Sequence, residues 1–532
     1  MSSTQPNILV VMTDEERYPP PYERETLAEF RRTHLPARER LRTRSLELHR
    51  HYAASTACLP SRASLFTGQY PSLHGVRSTD GLAKPANDPA MTWLDPDSVP
   101  TMGDWFRAAG YETQYRGKWH ISHPDLLIPG THEALLTNDR DANVITEHVD
   151  AYRRADRLDP FGYGGWVGCE PHGAHPANTG FVRDGIFADQ VCEMLAGLAA
   201  RASDGPWLAV ASFVNPHDIA FSAGGWQAFG FPEPDERVPD VPEAPSQSDS
   251  LDERPNAQRE FRAVWPKMLY PQPTDGAYRR FYHWLHLLVD VAIGRILDAL
   301  DASGMRDDTL VVFTSDHGDQ LGAHGGLQQK WYNAYDESIR VPMMFSGPGI
   351  APREGGISMP TSHVDVLPTL LGLAGVDREQ AARQVSEHHI ETHPLPGRDL
   401  REVLTGTVEP DSLDAPCYFM TEDQMTNGSR RRSQVTGTEF EPVREPANIE
   451  SVIAHLRTGR GASVELWKLN RYYAVLDGDG DAPEQWETYN LTADPEERRD
   501  RSRDESATFE ELGELLVRER TAKRRTPART NS

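Results

Sequence analysis

The chain has 532 residues, of which 38% are hydrophobic and 25% charged, and it contains 41 glycines and 41 prolines. This composition is typical of a loop-rich globular enzyme and not of a disordered chain or a coiled coil. The formal net charge of −25 argues against sequence-independent nucleic-acid binding, which needs clustered lysines and arginines to neutralise phosphates. The length exceeds one unit of about 100 to 200 residues, so we expect a large domain and a smaller one.

The sequence contains no run of about 18 apolar residues, the length that a membrane-spanning helix needs. The short apolar segment near residue 10 lacks the preceding basic residues of a secretory signal. We therefore expect a cytoplasmic protein that does not contact a membrane. The four cysteines lack the paired spacing of zinc sites and are too few for a disulfide scaffold, so they are most simply small buried side chains.

Four apolar, β-rich segments each end in polar residues. "NILVVMTDEE" ends at Asp14 and Glu15, "YETQYRGKWH" at Lys118 and His120, "WLAVASFVNPHD" at His217, and "TLVVFTSDHGD" at Asp316 and His317. Continuous apolar strands that alternate with helices indicate an α/β fold whose parallel sheet is covered on both faces. Such sheets bind ligands beyond the carboxyl ends of their strands. The four polar groups should therefore converge.

Helical patterns separate these strands. The segment "TMGDWFRAAGY" stops at Gly110, residues 281–305 carry Leu, Val and Ile at helical spacing, and residues 361–376 form a shorter apolar helix. Two long stretches, residues 123–182 and 222–277, show neither a helical nor a strand pattern of apolar residues. The second stretch is dense in Pro, Asp and Glu. We interpret both as ordered loops over the site.

The pattern changes after about residue 400. Short strand-like segments begin at Cys417, Ser451 and Trp467, and a closing helix follows near residues 505–520. The predicted organisation is a catalytic domain over residues 1–400 and a smaller α+β domain with an antiparallel sheet over residues 401–532.

Acidic residues at two strand ends are candidate metal ligands. Asp14, Glu15 and Asp316 offer hard carboxylate oxygens, and His317 adds a nitrogen. This set suits Ca²⁺, Mg²⁺ or Mn²⁺ better than zinc. Acidic residues at strand ends also cap loops and helices, so the residue types alone leave both interpretations open.

The segment "CLPSRASLFTG" places Cys58 at the start of a predicted helix. Pro60 fits the first helical turn and Arg62 follows within it, so Cys58 would face free backbone N–H groups and a guanidinium. This arrangement predicts an anion site. A buried structural cysteine and a thiolate nucleophile of low pKa are the alternatives, and the spacing excludes neither.

The sequence Cys58-Leu59-Pro60-Ser61-Arg62, followed by Thr67-Gly68, resembles the C-x-P-S-R-x-x-x-x-T-G signature of type I sulfatases in the alkaline phosphatase superfamily. Further segments agree in order, among them "GYETQYRGKWH", "FTSDHGDQLGAHG", "QKWYNAYDESIRVP" and "QWETYNLTADPEE". The resemblance spans nearly the whole chain. It implies an alkaline-phosphatase-like, mostly parallel sheet flanked by helices, followed by the smaller C-terminal domain.

The resemblance also implies a partner, the formylglycine-generating enzyme, which would oxidise Cys58 to Cα-formylglycine. One hydroxyl of the hydrated aldehyde would attack sulfur and displace the alcohol. The second hydroxyl would then let the aldehyde re-form as inorganic sulfate leaves. The implied substrate is a small aryl or alkyl sulfate ester.

Besides Cys58, roles carried over from the family fall on nine positions. The metal ligands would be Asp14, Glu15, Asp316 and His317; Arg62 would contact the hydrate, His120 would act as base, Lys118 and Lys330 would hold sulfate oxygens, and His217 would assist the leaving group. His74, His324 and Tyr332 either line the site or pack. The oligomeric state stays open, and a homo-oligomer is compatible with the sequence.

Two motifs depart from the common sulfatase pattern. Many members carry Asp-Asp and Asp-Asn where this chain has Asp14-Glu15 and Asp316-His317. The histidine variant resembles the phosphonate monoester hydrolase and choline-sulfatase-like branches. An imidazole in place of an oxygen ligand makes Mn²⁺ or Mg²⁺ an alternative to the favoured Ca²⁺.

Two other functions remain as alternatives to a sulfatase. Sulfate monoesters, phosphonate monoesters and phosphodiesters all carry one negative charge, so the same cationic site could process a phosphonate monoester or a phosphodiester. The third interpretation is a non-catalytic anion- or metal-binding protein. The presence of a suitable polar residue at every position expected of the enzyme argues against it.

Overall fold

The computed structural model describes residues 5–171, 175–201, 205–222, 224–351, 353–457, 463–474 and 482–527. The strands are β1 (Asn7–Asp14), β2 (Leu46–Glu47), β3 (His51–Tyr52), β4 (Glu112–Gly117), β5 (Trp207–Pro216), β6 (Thr309–Ser315), β7 (Arg340–Val341), β8 (Met343–Ser346), β9 (Thr361–Ser362), β10 (Cys417–Thr421), β11 (Asn448–Arg457), β12 (Val464–Tyr473) and β13 (Gln485–Asn490).

The helices are α1 (Pro21–His34), α2 (Pro36–Arg44), α3 (Cys58–Thr67), α4 (Pro71–His74), α5 (Met102–Ala108), α6 (Thr146–Ala155), α7 (Gly180–Ala200), α8 (Gly224–Phe229), α9 (Asn256–Met268), α10 (Gly276–Ala302), α11 (Ala323–Gly326), α12 (Asp336–Ile339), α13 (Val366–Leu373), α14 (Arg378–Val385), α15 (Arg401–Leu404) and α16 (Ser506–Lys523). Within the described ranges, no helix combines the length and the apolar character required to cross a bilayer.

A six-stranded sheet with the order β2-β8-β6-β1-β5-β4 carries the predicted strands. β1 pairs in parallel with β5 and β6, and β4 pairs in parallel with β5. In this sheet only β8 runs in the opposite direction, so its pairs with β6 and with β2 are antiparallel. The prediction of an α/β fold with a mostly parallel sheet is confirmed.

Both faces of this sheet are buried, which explains its continuous apolar strands. In β1, Ile8 and Val10 pack into a cluster that includes α3 and α13, whereas Leu9 and Val11 face α7 and α10. The 27-residue α10 is the helix predicted from the Leu, Val and Ile pattern. Its length lets one helix support the middle strands from behind.

The two stretches predicted as loops contain helices. Helix α6 and the start of α7 lie within residues 123–182, and α8 and α9 lie within residues 222–277. The loop prediction was wrong there because α9 follows a Pro-rich segment and carries a proline inside it, which hid its amphipathic pattern. Residues 172–174 and 223 of these stretches lie outside the described residues.

The predicted C-terminal antiparallel sheet is present, with the order β10-β11-β12-β13. Helix α16 packs on it through Leu512 and Leu516. On its other face, Phe419 and Ile449 share one apolar cluster with Trp331. The boundary at residue 400 stays a prediction, but the sheet clearly packs against the segment that follows Lys330.

Candidate active site

The polar residues at the strand ends converge because their strands are neighbours in the parallel sheet. Asp14 lies opposite Pro216 in the β1–β5 pair, so His217 follows beside it. Thr13 lies opposite Ser315 in the β1–β6 pair, so Asp14 and Asp316 are adjacent. Sheet register alone therefore assembles much of the predicted site.

Gly117 lets the chain turn from β4 to Lys118. Its φ is +99°, and an added Cβ would lie 1.8 Å from the Ser212 carbonyl oxygen. The Lys118 N–H donates to that same oxygen at 3.0 Å. Only glycine permits this close approach, which directs Lys118 across the strand ends.

Cys58 is the first residue of α3 and is buried next to the candidate metal ligands. Its Sγ lies 3.0 Å from His317 Nε2 and 3.7 Å from Asp14 Oδ1. Burial, with the Asp14 charge beside it, raises the pKa of the Cys58 thiol to about 12. The unmodified side chain is therefore a neutral thiol at pH 7, which argues against the thiolate alternative.

Arg62 is fully buried one turn further along α3. Its guanidinium donates to Asp14 Oδ2 at 2.8 Å and to Asp316 Oδ2 at 2.8 Å. A third hydrogen bond of 2.8 Å reaches the Lys118 carbonyl oxygen. Arg62 thus fixes the two acidic residues relative to the helix that begins at Cys58. The contact with the hydrate that the resemblance implied stays a prediction.

Side chains with the chemistry of a divalent-cation site lie within reach of one another. Ligand atoms of Asp14, Cys58, Asp316 and His317 lie within 4.8 Å of one another, and those of Asp14, Glu15 and His217 form a second such group. His317 Nδ1 lies 2.9 Å from the Gly318 carbonyl oxygen. This contact favours the tautomer in which Nε2 carries the lone pair toward Cys58.

The carboxyl groups of Asp14 and Glu15 have opposite pKa shifts. Burial opposes ionisation of Asp14, but the Lys118 and Arg62 charges hold its pKa well below the usual value. Burial raises the pKa of Glu15 well above its usual value, although Lys330 Nζ lies 2.9 Å from Oε2. Within the described part of the chain, no protein donor reaches Glu15 Oε1. A divalent cation would supply the charge that ionises this carboxyl group, so the donor set fits one.

Two lysines and a histidine surround the carboxylates. Lys118 Nζ lies 2.7 Å from Asp14 Oδ2, and Lys330 Nζ contacts Glu15 as described above. Burial and the charge of Lys118 lower the pKa of His217 well below its usual value. His217 is therefore neutral at pH 7, next to two cationic groups that suit an anionic substrate.

For His120, the structure shows a partner that the sequence did not indicate. Nε2 lies 2.7 Å from Asp80 Oδ1, and both side chains are buried. The backbone N–H groups of Trp119 and His120 both donate to Glu170 Oε1, at 3.2 and 2.9 Å. Glu170 comes from the stretch 123–182, so this region holds the His120 segment in place.

Other supporting residues were also missed. Tyr282 of α10 donates its hydroxyl to the Glu15 carbonyl oxygen at 2.8 Å and accepts the Arg17 N–H at 3.0 Å. Glu15 has a φ of +68°, and these bonds fix that strained turn. Nothing in the sequence distinguishes Tyr282, which lies among other aromatic residues such as Phe281 and Trp284.

The three residues left open in the sequence pack rather than line the cluster. His74 Nε2 lies 3.0 Å from Ser64 Oγ behind α3. The His324 ring stacks on Tyr335 with centroids 3.5 Å apart. The Tyr332 hydroxyl lies 2.9 Å from Thr426 Oγ1.

Comparison with known proteins agrees with this geometry. Residues 6–376 match the family model described as Sulfatase. The chain is 31% identical over 392 residues to the choline-sulfatase of Rhizobium meliloti (strain 1021), covering 71% of this chain and 70% of that protein. It is 28% identical over 422 residues to the ulvan-active sulfatase of Formosa agariphila, covering 76% and 69% respectively.

A solved structure shows the same fold. The phosphonate monoester hydrolase SpPMH from Silicibacter pomeroyi superposes with a TM-score of 0.59 and 20% identity, over 98% of this chain and 96% of that chain. With the family match over residues 6–376 and the choline-sulfatase similarity, this chain belongs to the sulfatase family of the alkaline phosphatase superfamily and is a sulfuric ester hydrolase.

Proposed function

We propose that the protein hydrolyses a small aryl or alkyl sulfate ester to an alcohol and inorganic sulfate, using a Cα-formylglycine formed from Cys58. One observation carries the proposal. The side chain of Cys58, within the C-x-P-S-R signature, lies 3.0 Å from His317 and next to Asp14, where Lys118 and Lys330 converge. This is the position from which an attached nucleophile would meet a sulfate group held by cations.

Formylglycine would supply a hydroxyl that attacks sulfur and a second hydroxyl whose loss of a proton expels sulfate. The formylglycine-generating enzyme is accordingly the proposed maturation partner. Cys58 is only 2% exposed, so that enzyme would act before α3 is packed.

The metal ion, with Ca²⁺ favoured and Mn²⁺ or Mg²⁺ as alternatives, would polarise the sulfate oxygens. Asp14, Glu15, Asp316 and His317 would hold it. Arg62 keeps Asp14 and Asp316 at fixed positions through bonds of 2.8 Å. Their oxygens are thus oriented before a substrate arrives, which reduces reorganisation during the reaction.

The remaining residues act on the substrate. Lys118 and Lys330 would hold sulfate oxygens by charge. Because His217 is neutral, it would donate one N–H hydrogen bond to the leaving oxygen. Asp80, 2.7 Å from Nε2 of His120, makes Nδ1 the basic nitrogen of that ring, so His120 would accept the proton through Nδ1.

A phosphonate monoester hydrolase or phosphodiesterase is the second candidate. Its support is the pairing of Asp316 with His317, whose Nε2 lies 3.7 Å from Asp316 Oδ1 where many sulfatases carry an asparagine. An imidazole nitrogen in place of a neutral amide oxygen changes the metal's ligand set but not its charge, and it leaves the lysines for any singly charged ester.

The test is steady-state kinetics on protein produced together with the formylglycine-generating enzyme. The substrates are 4-nitrophenyl sulfate and 4-nitrophenyl phenylphosphonate, each with Ca²⁺ and with Mn²⁺. A higher kcat/KM for the sulfate supports the proposal, and a much higher value for the phosphonate favours the second candidate. Mass spectrometry of the Cys58 peptide establishes the modification independently. A protein that binds sulfate but turns over neither ester would be a non-catalytic anion-binding protein.

A further inference from the structure

The chain that leaves strand β10 contacts the residues immediately before Cys58. The Thr421 hydroxyl donates to the Thr56 carbonyl oxygen. Asp423 Oδ2 accepts the Ala57 N–H at 3.3 Å. Asp423 is only 5% exposed. The C-terminal sheet therefore holds the backbone from which α3 and Cys58 begin.

The same carboxylate accepts hydrogen bonds from two other segments of the site. Oδ2 also accepts Trp331 Nε1–H at 3.0 Å, and Oδ1 accepts the Thr79 N–H at 3.1 Å. Trp331 directly follows Lys330, and Thr79 directly precedes Asp80. Asp423 thus joins the segments that carry the reacting residue, a sulfate-binding lysine and the partner of His120.

Trp331 transmits this contact to Lys330. The Lys330 ammonium lies 4.5 Å from the centroid of the Trp331 ring, within the range of a cation–π interaction. Trp265 packs beside Trp331 with ring centroids 6.0 Å apart. The ring is thus held at its indole nitrogen by Asp423 and along its side by an aromatic neighbour.

We propose that Asp423 is a positioning residue for sulfate ester hydrolysis, setting Cys58, Lys330 and the Asp80–His120 pair relative to one another. This inference rests on the proposed function. The donor pattern requires two acceptor oxygens, because Oδ2 faces two donors and Oδ1 faces a third. An amide would present its NH₂ group to at least one of these donors, and the corresponding segment would shift.

The test compares Asp423→Asn with Glu422→Gln. Glu422 is the neighbouring buried carboxylate, but its Oε1 accepts the Tyr473 hydroxyl at 3.0 Å and pairs with Arg524. These two partners belong to the C-terminal sheet and the end of α16, and the remaining contact, from Oε2 to Arg77 at 3.4 Å, is with an exposed side chain. Both variants remove one negative charge from adjacent positions, so loss of charge or of stability in the C-terminal sheet affects them alike.

Relative to wild type, we expect Asp423→Asn to lower kcat/KM for 4-nitrophenyl sulfate at least tenfold at equal formylglycine content, with a changed pH profile from the displaced Asp80–His120 pair. Glu422→Gln should stay within about threefold. A third variant, Trp331→Phe, keeps the ring over Lys330 but removes its donor. If Asp423 acts partly through Trp331, the fold-loss of kcat/KM in the double variant should be smaller than the product of the losses in Asp423→Asn and Trp331→Phe. Equal kinetics and unshifted pH profiles in Asp423→Asn and Glu422→Gln would overturn the proposal.

A second measurement separates this proposal from the proposed function. Inorganic sulfate is titrated into wild type, Asp423→Asn, Trp331→Phe and Glu422→Gln, and Tm is measured at each concentration. The quantity compared is the sulfate concentration at which the rise in Tm reaches half of its maximum. If wild type turns over neither ester, the proposed function fails, yet at least fivefold weaker sulfate binding in Asp423→Asn and Trp331→Phe alone supports the positioning role. If Asp423→Asn does not fold, Trp331→Phe decides by the same criterion. Unchanged sulfate binding, or none in wild type, overturns the role.

Discussion

Two regions of this protein bury charged groups, and they do so differently. At the ends of the parallel strands, Asp14 Oδ2 is shared between Arg62 at 2.8 Å and Lys118 at 2.7 Å, while Glu15 Oε1 receives no donor within the described ranges. In the C-terminal sheet, the ammonium of the fully buried Lys468 lies 2.7 Å from Asp336 and 2.8 Å from Glu497.

The two regions differ in how completely their buried charges are paired by protein groups. We infer that the strand-end charges serve the chemistry and that the Lys468 charges stabilise the fold. Burial opposes ionisation of Asp336, but Lys468 and two neighbouring arginines hold its pKa at about 2. Glu497 also accepts the Asp336 N–H at 2.6 Å. Protein groups therefore contact both carboxyl groups of this network, although burial raises the pKa of Glu497 to about 8. The strand-end cluster instead directs its groups toward Cys58, so substitutions there should change activity before stability.

Cys58→Ala should have the largest effect on activity. Without the precursor of the nucleophile, turnover of 4-nitrophenyl sulfate should fall by more than about a thousandfold, while Tm shifts by only a few degrees because one small side chain is lost. Cys169→Ala is the matched control, since Cys169 is equally buried and burial raises its pKa to about 12 as well. Activity in Cys58→Ala close to that of Cys169→Ala would remove Cys58 from the mechanism.

Lys468→Met should have the largest effect on stability. It leaves Asp336 and Glu497 buried with less compensation, which typically costs about 3 to 5 kcal/mol, while kcat per folded molecule should stay within a few-fold. Denaturant unfolding and kinetics on the folded fraction measure the two quantities.

Lys118→Met is the matched control from the strand-end cluster. Asp14 keeps its hydrogen bond with Arg62 in this variant, so the loss of stability should be smaller and the loss of activity larger. Equal destabilisation by the two lysine substitutions would contradict the distinction between the regions.

The sequence predicted the strand-end cluster well because its members follow apolar strands or lie in one local signature. Asp14, His217 and Asp316 end neighbouring strands, and parallel pairing brings such positions together whatever the details of the loops. Cys58 and Arg62 are one helical turn apart, so their relation is also local.

The supporting residues could not be predicted in the same way. Asp423 is 366 positions from Ala57, to which it bonds, and Lys468 is 132 positions from Asp336. No local pattern records such contacts, because they arise only when the C-terminal sheet packs on the segment after Lys330. Helix α9 was missed for a different reason, as its internal Pro266 conceals the helical periodicity.

Treatment with a chelator tests the proposed metal site at the strand ends against the Lys468 network. A ligand that binds only the folded state at a hundred times its Kd stabilises it by about 2.7 kcal/mol, so chelation should abolish activity and lower Tm. Asp316→Ala should lack this response, whereas Lys468→Met should keep it despite its lower starting Tm. A metal-dependent rise in Tm that persists in Asp316→Ala would mean that the cation binds elsewhere.

His74 should give the smallest effect, and it tests whether the packing behind α3 is structural like the Lys468 network. Burial lowers the pKa of His74 to about 3, against about 6.5 in an unfolded chain. The unfolded state therefore binds more protons, so this contribution is complete above pH 6.5 and is lost as the pH falls toward 3. Between pH 8 and pH 5 it should amount to about 2 kcal/mol.

His74→Gln keeps a polar side chain near Ser64 but cannot titrate, so its free energy of unfolding should fall by about 2 kcal/mol less than that of wild type over the same interval. Urea unfolding at pH 8 and pH 5 measures this difference. His455→Gln is the control, because His455 lies at the surface beside Asp414 at 2.8 Å. If His74→Gln and wild type lose stability in parallel, the imidazole is protonated in the folded protein. The region behind α3 would then hold a charge, as the Lys468 network does, instead of a neutral hydrogen-bonded ring.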